Sequence, residues 1–387
     1  MPEQTYSIRF VSGADAVPAD LWTSAFPRSL EGGWWFAALE QSGLEDQFEF
    51  FYALILHDGS PVGVAPLFAM RIEVEFLVPR ALVPFLAWLG RIVPALSAPR
   101  GLFIGSPCSD EGAIGLLPGA DRRQALLALQ QALETEAARR DLSLIIWKDF
   151  PASYDADLSA LAEALGLFRM VGFPGTMLRL PNGSKQDYFA ALKSSRRHQL
   201  RKKLKRSMQS SALDVEVIQR PDARTLDEIV ALFGQTRARA KTSFEELGRP
   251  FFERIAQEPV AHFIILRERQ TGRAVAFQLV FALGDRVINK YIGIDYQTPS
   301  EWFLFFRLFD AAVDWALARG AKSIQSGQTG YRAKVEQGHT LYPLTVYARH
   351  RSPMLHGICR MVAKRITWAT LDDDLATYLR AHPDGRE

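Results

Sequence analysis

Between residues 274 and 347 the spacing of apolar and polar positions changes from strand-like to helical and back. Ala274 to Leu283 and Val287 to Ile294 are nearly continuous apolar runs flanking Gly284-Asp285, which predicts two buried strands joined by a two-residue hairpin. From Pro299 and Ser300 the period becomes helical. Phe303, Phe306, Leu308, Ala311, Val313, Trp315 and Leu317 fill one stripe, and Gly320 stops it. Ala321 to Ser326 then reads as a short strand, Gln328 to Glu336 as a helix-like connector, and Leu341 to Tyr347 as a last strand.

The chain ahead of this stretch repeats the scheme. Strands are predicted at Ser7 to Val11, Phe48 to Leu56 and Val62 to Ile72, the last two joined at Asp58-Gly59-Ser60. Gly101 to Gly105, the long helix Arg122 to Arg139, Leu142 to Trp147, the helix Tyr154 to Leu165 and Thr176 to Leu180 follow. Leu213 to Ile218 opens the second round, with helices at Ala223 to Arg239 and Pro250 to Ala256 and a strand at Phe263 to Arg267. The long helices end alike, in AARRDLSLII and ALARGAKSIQ. We read a duplication: an α/β protein of two lobes with mixed, mostly antiparallel sheets, the alternative being chance agreement of two common patterns. The expected division is an N-terminal lobe over 1–180, a C-terminal lobe over 181–350 and a helical tail over 351–387.

Composition narrows this picture only locally. The chain of 387 residues is 48% hydrophobic and 23% charged, with a net charge of +3, as expected of a soluble two-domain protein. Two cysteines, Cys108 and Cys359, exclude a disulfide scaffold. The opening MPEQTYSIRF shows no signal peptide, so a cytoplasmic location is expected, with peripheral contact at the inner membrane as a variant of it. The Phe76 to Ala98 zone is strongly apolar but broken by Pro79, Arg80, Pro84, Arg91 and Pro94, so it is no spanning helix. It is read either as lobe core or as a flap over an alkyl chain or membrane surface. The histidines are scattered without ligand spacing, and no metal is expected. Cys108, with no histidine near it in sequence, is expected to be a buried structural residue. Charge clusters in one place: Lys193 to Arg206 carries eight positive residues in fourteen. Tyr188, Leu192, Leu200, Leu204 and Met208 give that segment an apolar face, and its cationic face suits phosphates, the plain alternative being a solvated surface.

Tyr291-Ile292-Gly293-Ile294-Asp295, Pro299, Ala318-Arg319-Gly320-Ala321-Lys322 and Gly327-Gln328-Thr329-Gly330-Tyr331, with Lys334 and Gly338 behind them, resemble the C-terminal half of the GNAT superfamily. The closer likeness is to its FemAB-like branch, acyl-CoA N-acyltransferases related to peptidoglycan peptide-bridge transferases. The resemblance covers roughly residues 185–350 and implies tandem GNAT-like lobes. The glycine-rich Gln/Arg-x-x-Gly-x-Gly/Ala turn that many GNAT enzymes use for the CoA pyrophosphate is missing after the 286–294 strand. The resemblance further implies an N-acyltransferase with acyl-CoA as co-substrate and no permanently bound cofactor. Its donor site would be the start of the 300–319 helix, with Gly293, Ile294 and Ser300 and with Arg196, Arg197 and Arg201 of the basic segment. Aminolysis of a thioester needs a group to take the amine proton and one to stabilise the oxyanion or thiolate. Asp295, Glu336 and His339 are candidates for the first task, Tyr331 and Lys334 for the second. Phe85, Trp88 and Gln328 are candidate substrate contacts.

Partners follow from this: acyl-CoA or an acyl carrier protein as donor, and an amine acceptor. The apolar zone and the Trp302-Phe-Leu-Phe-Phe306 run favour a long-chain donor or a lipid amine such as a sphingoid base. The alternatives are an aminoacyl-tRNA-dependent transferase acting on a peptidoglycan precursor, and a catalytically silent RNA- or membrane-binding module.

Overall fold

A computed structural model describes residues 6–26, 32–72, 99–180, 183–239 and 244–382. The apolar zone with Phe85 and Trp88 lies outside them. The chain divides into two compact units, one of Met1–Glu40, Leu44–Pro174 and Pro343–Glu387, the other of Gly175–Tyr342 with Gln41–Gly43.

The first unit contains β1 (Tyr6–Val11), β2 (Glu49–His57), β3 (Ser60–Arg71), β4 (Arg100–Ile104), β5 (Gly115–Leu116), β6 (Leu144–Pro151) and β7 (Phe168–Val171). The second contains β8 (Gly175–Arg179), β9 (Leu213–Ile218), β10 (Ala261–Glu268), β11 (Ala274–Leu283), β12 (Arg286–Ile294), β13 (Ser323–Ser326) and β14 (Thr340–Tyr342). The last strand, β15 (Leu344–His350), belongs to the first unit's sheet. The sheets run β1-β2-β3-β4-β6-β15-β7, with β5 on β3, and β14-β8-β13-β12-β11-β10-β9. Only β4 with β6 and β12 with β13 pair in parallel among the described residues. Position by position the two orders match, except that each sheet takes one strand from the other half of the sequence. β8 fills the second sheet between β13 and β14, and β15 fills the first between β6 and β7.

This exchange moves the expected boundaries from 181 and 351 to 175 and 343. The apolar run Leu341 to Tyr347, expected as one strand, is two strands in two sheets. Pro343 separates them; it has no amide hydrogen to give a ladder and a fixed φ, so it suits a break between strands. The predicted hairpins hold: His57 pairs with Ser60 around Asp58 and Gly59, both at positive φ, and Leu283 pairs with Arg286 around Gly284 at φ 62.

Each sheet buries one face under a long helix. In the first unit the helix Arg122–Arg139 sets Ala125, Leu126, Leu129 and Leu133 into a core with Ile104, Ile145, Trp147 and Tyr347. In the second the helix Leu304–Ala318 sets Leu308, Ala312, Val313 and Ala316 against Ile264, Val280, Val287 and Ile324. The basic segment joins that core through Leu200 and Leu204. It is two helices, Lys185–Ala191 and Ser194–Ser210, and not one. The break at Leu192-Lys193 shifts the inward face, so Ser207 is buried where Met208 was expected, and Met208 stands 59% exposed. Among the described residues no helix is long and apolar enough to cross a membrane, and no cluster of three metal-ligating side chains forms.

Candidate functional site

The second unit's parallel pair is where the sheet opens. β12 and β13 are in register from Arg286 with Ser323 to Asn289 with Ser326, and residues 290–294 run on past the end of β13. On the other side of β12 the register slips between Leu279 and Val280, so Lys290 is the extra residue of a bulge. Such a bulge sharpens the local twist and turns the strand end away from its neighbour.

At the parting point polar side chains replace the apolar run. Asn289, Ser326, Thr176 and His339 are all buried. The Asn289 amide donates to Ser326 Oγ at 2.9 Å, and Ser326 Oγ lies 3.0 Å from His339 Nε2. His339 Nδ1 lies 3.0 Å from the Lys334 carbonyl. A carbonyl can only accept, so Nδ1 carries the hydrogen and Nε2 accepts a hydrogen bond from the Ser326 hydroxyl. Burial, then the nearby Lys334 charge, lowers the His339 pKa to about 3, so the ring is neutral at physiological pH. Lys334 Nζ donates to the carbonyls of Gly327 at 2.5 Å and Ser326 at 3.3 Å, and Thr176 Oγ1 donates to the Ser326 carbonyl as well. The end of β13 is thereby tied down with an ammonium group beside it. Thr329 and Gly330 follow at φ 81 and 63; for a β-branched residue this is strained backbone, of the kind held at functional sites at a cost of about 1–3 kcal/mol.

The helix Leu304–Ala318 starts close by in an unusual way. A 3-10 turn, Ser300–Trp302, precedes it, and Phe303 caps it at φ 45, ψ 45 with no side-chain hydrogen bond. The α-helix therefore begins at Leu304 and not at Ser300, which is exposed. The basic helix Ser194–Ser210 packs against this turn. Ser207 Oγ donates to the Trp302 carbonyl at 2.5 Å and Ser210 Oγ to the Glu301 carbonyl at 3.0 Å. Lys203 Nζ sits 4.0 Å from the centre of the Phe306 ring and 2.5 Å from Glu336 Oε2. Trp302, Phe303, Phe305 and Phe306 stay partly exposed around it.

The first unit is not equivalent here. Its matching helix is capped by a carboxylate: Asp121 Oδ1 accepts from the Gln124 amide at 3.1 Å. An anionic cap occupies the place that a phosphate would take and repels it. The uncapped helix start belongs to the second unit, where the basic helix packs against it and brings Lys203 to Phe306.

The structure thus brings Lys334 and His339 together at the β12–β13 opening and adds Asn289, Ser326 and Thr176, which sequence reasoning missed. Their signal was an Asn and a Ser inside apolar strands, where a polar side chain needs a reason. Tyr331 is buried one turn ahead of Lys334, and Gln328 is half-buried. Glu336 is held by Lys203 and, at 3.5 Å, by Arg332. Asp295 stands apart: buried, ion-paired with Arg273, and accepting from the Gln297 amide at 2.9 Å, it pins the loop after β12. Ile294 donates its amide to Thr236 Oγ1 at 3.0 Å. A Cβ on Gly293 would meet the backbone of Leu232 and Phe233 at 2.7 Å, so the glycine admits the helix Ala223–Arg237 and leaves no room there for a ligand. Arg197 donates to the Ala190 carbonyl at 3.3 Å, Arg201 lies 5.0 Å from the centre of the Phe189 ring, and Arg196 is half-exposed. Cys108 is buried.

A family model described as peptidoglycan biosynthesis/recognition matches residues 113–367. The chain belongs to this FemAB-like family. Solved structures agree on the fold. FemX is 12% identical, with a TM-score of 0.59 over 91% of this chain and 100% of its own. L-PGS from Bacillus licheniformis is 12% identical, with a TM-score of 0.54 over 92% and 98%. A tandem GNAT protein from the clavulanic acid biosynthesis pathway is 12% identical, with a TM-score of 0.50 over 90% and 99%. No curated protein matches by sequence. The fold of this FemAB-like chain is that of tandem GNAT-like lobes, and family and fold together make it a transferase.

Proposed function

We propose that the second unit transfers an acyl group from an anionic carrier, acyl-CoA or an acyl carrier protein, to a primary amine. The observation that carries this is the difference between the duplicated helices: one start is closed by Asp121, while the other is uncapped and faces the basic helix. The free amides of residues 304–306 and the positive dipole end suit a pyrophosphate. The thioester would lie along the open edge of β12 beyond Asn289. There the amine nitrogen bonds to the carbonyl carbon, the carbon–sulfur bond breaks, the amine loses a proton and the thiolate gains one. Lys334 supplies positive charge for the oxyanion or thiolate, and Ser326 with neutral His339 holds the strand end in register. Asp295 has no part in this step. The partly exposed aromatics from Trp302 to Phe306 support an apolar donor or acceptor, a long acyl chain or a lipid amine.

One observation favours a second reading. The Ser194–Ser210 helix spans roughly 25 Å at 1.5 Å per residue, longer than one pyrophosphate needs, and suits the backbone of an aminoacyl-tRNA. A transfer assay decides between them. Labelled acyl-CoA and labelled aminoacyl-tRNA are each offered with a primary amine, and amide product is counted with the wild-type chain and with Lys334→Ala. Product from acyl-CoA that Lys334→Ala abolishes supports the first reading. Product only from aminoacyl-tRNA replaces it with the second, and product from neither removes both.

A further inference from the structure

The helix Pro353–Ala363 packs on β7 and β15. Its inward face carries His356, whose ring meets that of Phe168 at 5.3 Å between centroids, and the buried Ala363. The opposite face is apolar and open. Met354, Ile358 and Met361 are 71%, 46% and 52% exposed, and their spacing places them in one stripe. Scattered exposed apolar side chains need no explanation, but three in a row on one helix face form a surface. Residues 351–366 also contain Arg351, Arg360, Lys364 and Arg365 and no Asp or Glu. Arg360, Lys364 and Arg365 are exposed and form no ion pair among the described residues.

We infer that the Pro353–Ala363 helix docks the first unit on an anionic lipid bilayer, with Met354, Ile358 and Met361 in the acyl boundary and the cations on head-group phosphates. Arg351 is ion-paired with Asp141, but an apolar stripe whose own helix carries cations and no carboxylate is the composition of a helix lying in the plane of a membrane interface. A second copy of this chain fits less well. A two-fold contact through the stripe lays two helices of the same positive charge together, with no Asp or Glu in residues 351–366 of either to pair with Arg360, Lys364 and Arg365, and like charges repel. Nucleic acid has phosphates for the cations but no use for Met354 and Met361. The inference rests on this helix alone and is independent of the transfer reaction.

Sedimentation of the full chain with vesicles tests it. Vesicles of phosphatidylcholine alone are compared with vesicles of phosphatidylcholine mixed with phosphatidylglycerol. The chain should sediment with the mixed vesicles and not with the neutral ones. The variant Met354→Glu/Ile358→Glu/Met361→Glu should lose that binding while its melting temperature stays unchanged, since all three positions are exposed. Single Met354→Glu, which perturbs the fold least, should weaken binding measurably. Each of Arg360→Gln, Lys364→Gln and Arg365→Gln should weaken it by about fivefold, as expected for one basic residue at an anionic surface. Failure to bind mixed vesicles overturns the inference. So does binding that survives the triple Glu substitution but is lost when Lys202 and Lys205 become Gln, which assigns the contact to the Ser194–Ser210 helix. A dimer in solution that the triple Glu variant dissociates makes the stripe an interface between copies instead.

Discussion

Two residues at the β12–β13 opening divide the chemistry from the scaffold. Lys334 holds its ammonium at the end of β13 by two bonds to carbonyls. Lys334→Ala should lower kcat by about 10²–10³-fold, the size of losing one oxyanion donor, while the melting temperature moves by only a few degrees. Steady-state kinetics beside a thermal melt checks this, and unchanged kcat would place the lysine outside the reaction. His339 is a strut. Unfolded, its imidazole takes a proton near 6.5; folded, burial and then Lys334 hold that back to about 3. Between these values the unfolded chain binds the extra proton, so stability rises with pH there and is lost as pH falls. His339→Gln should remove about one proton from the slope of stability against pH in that window, as read from denaturant melts of variant and wild type. His262, His350 and His356 are lowered in the same direction by burial, so the slope shrinks without vanishing. Asp295 shows why site residues are hard to read from sequence. A carboxylate in a family motif looks like a base, yet only the fold shows Arg273 and the Gln297 amide already using it.

At the scale of elements, the proposed anion site is built from the two helices that meet at Ser300–Trp302, Leu304–Ala318 giving uncapped amides and Ser194–Ser210 giving charge. Replacing Arg196, Arg201, Lys202 and Lys205 with Gln should weaken donor binding and flatten its dependence on salt, because screening acts only on charges that are present. The melting temperature should hold, since Leu200 and Leu204 keep the helix docked. Donor affinities measured across a salt series decide it, and an unchanged slope would make the helix a solvated face. These elements were largely legible in the sequence, since the 3.6-residue period of Leu304–Ala318 and the apolar runs on either side of Gly284-Asp285 depend on local burial alone. The helix start was misplaced by four residues, from Ser300 to Leu304, because Pro299 and Ser300 favour a first turn of either helix type. The left-handed Phe303 that separates the two types leaves no mark in composition.

For the whole molecule, the lesson lies in β8 and β15. Each follows within a few residues of its predecessor, β8 after β7 and β15 after β14, so the sequence around it reads as one lobe followed by another. Which sheet it joins depends on residues far along the chain: Thr345 pairs with Phe150 and Val171, and Leu178 with Ile324. A chain ending after Tyr342 therefore lacks the strand between β6 and β7. Its first unit should lose cooperative melting, although every residue from 6 to 174 that forms it is present. Calorimetry would show this as a missing transition; two intact transitions would mean that β15 is dispensable. By the same duplication the lobes share a fold, and under the proposed function only the second receives the donor. Amide hydrogen exchange with and without CoA tests it most directly. Exchange should slow at residues 304–306 and along 196–206 when CoA is added, with residues 122–125 unchanged because Asp121 already closes that helix. Protection at 122–125, or none at 304–306, would contradict it.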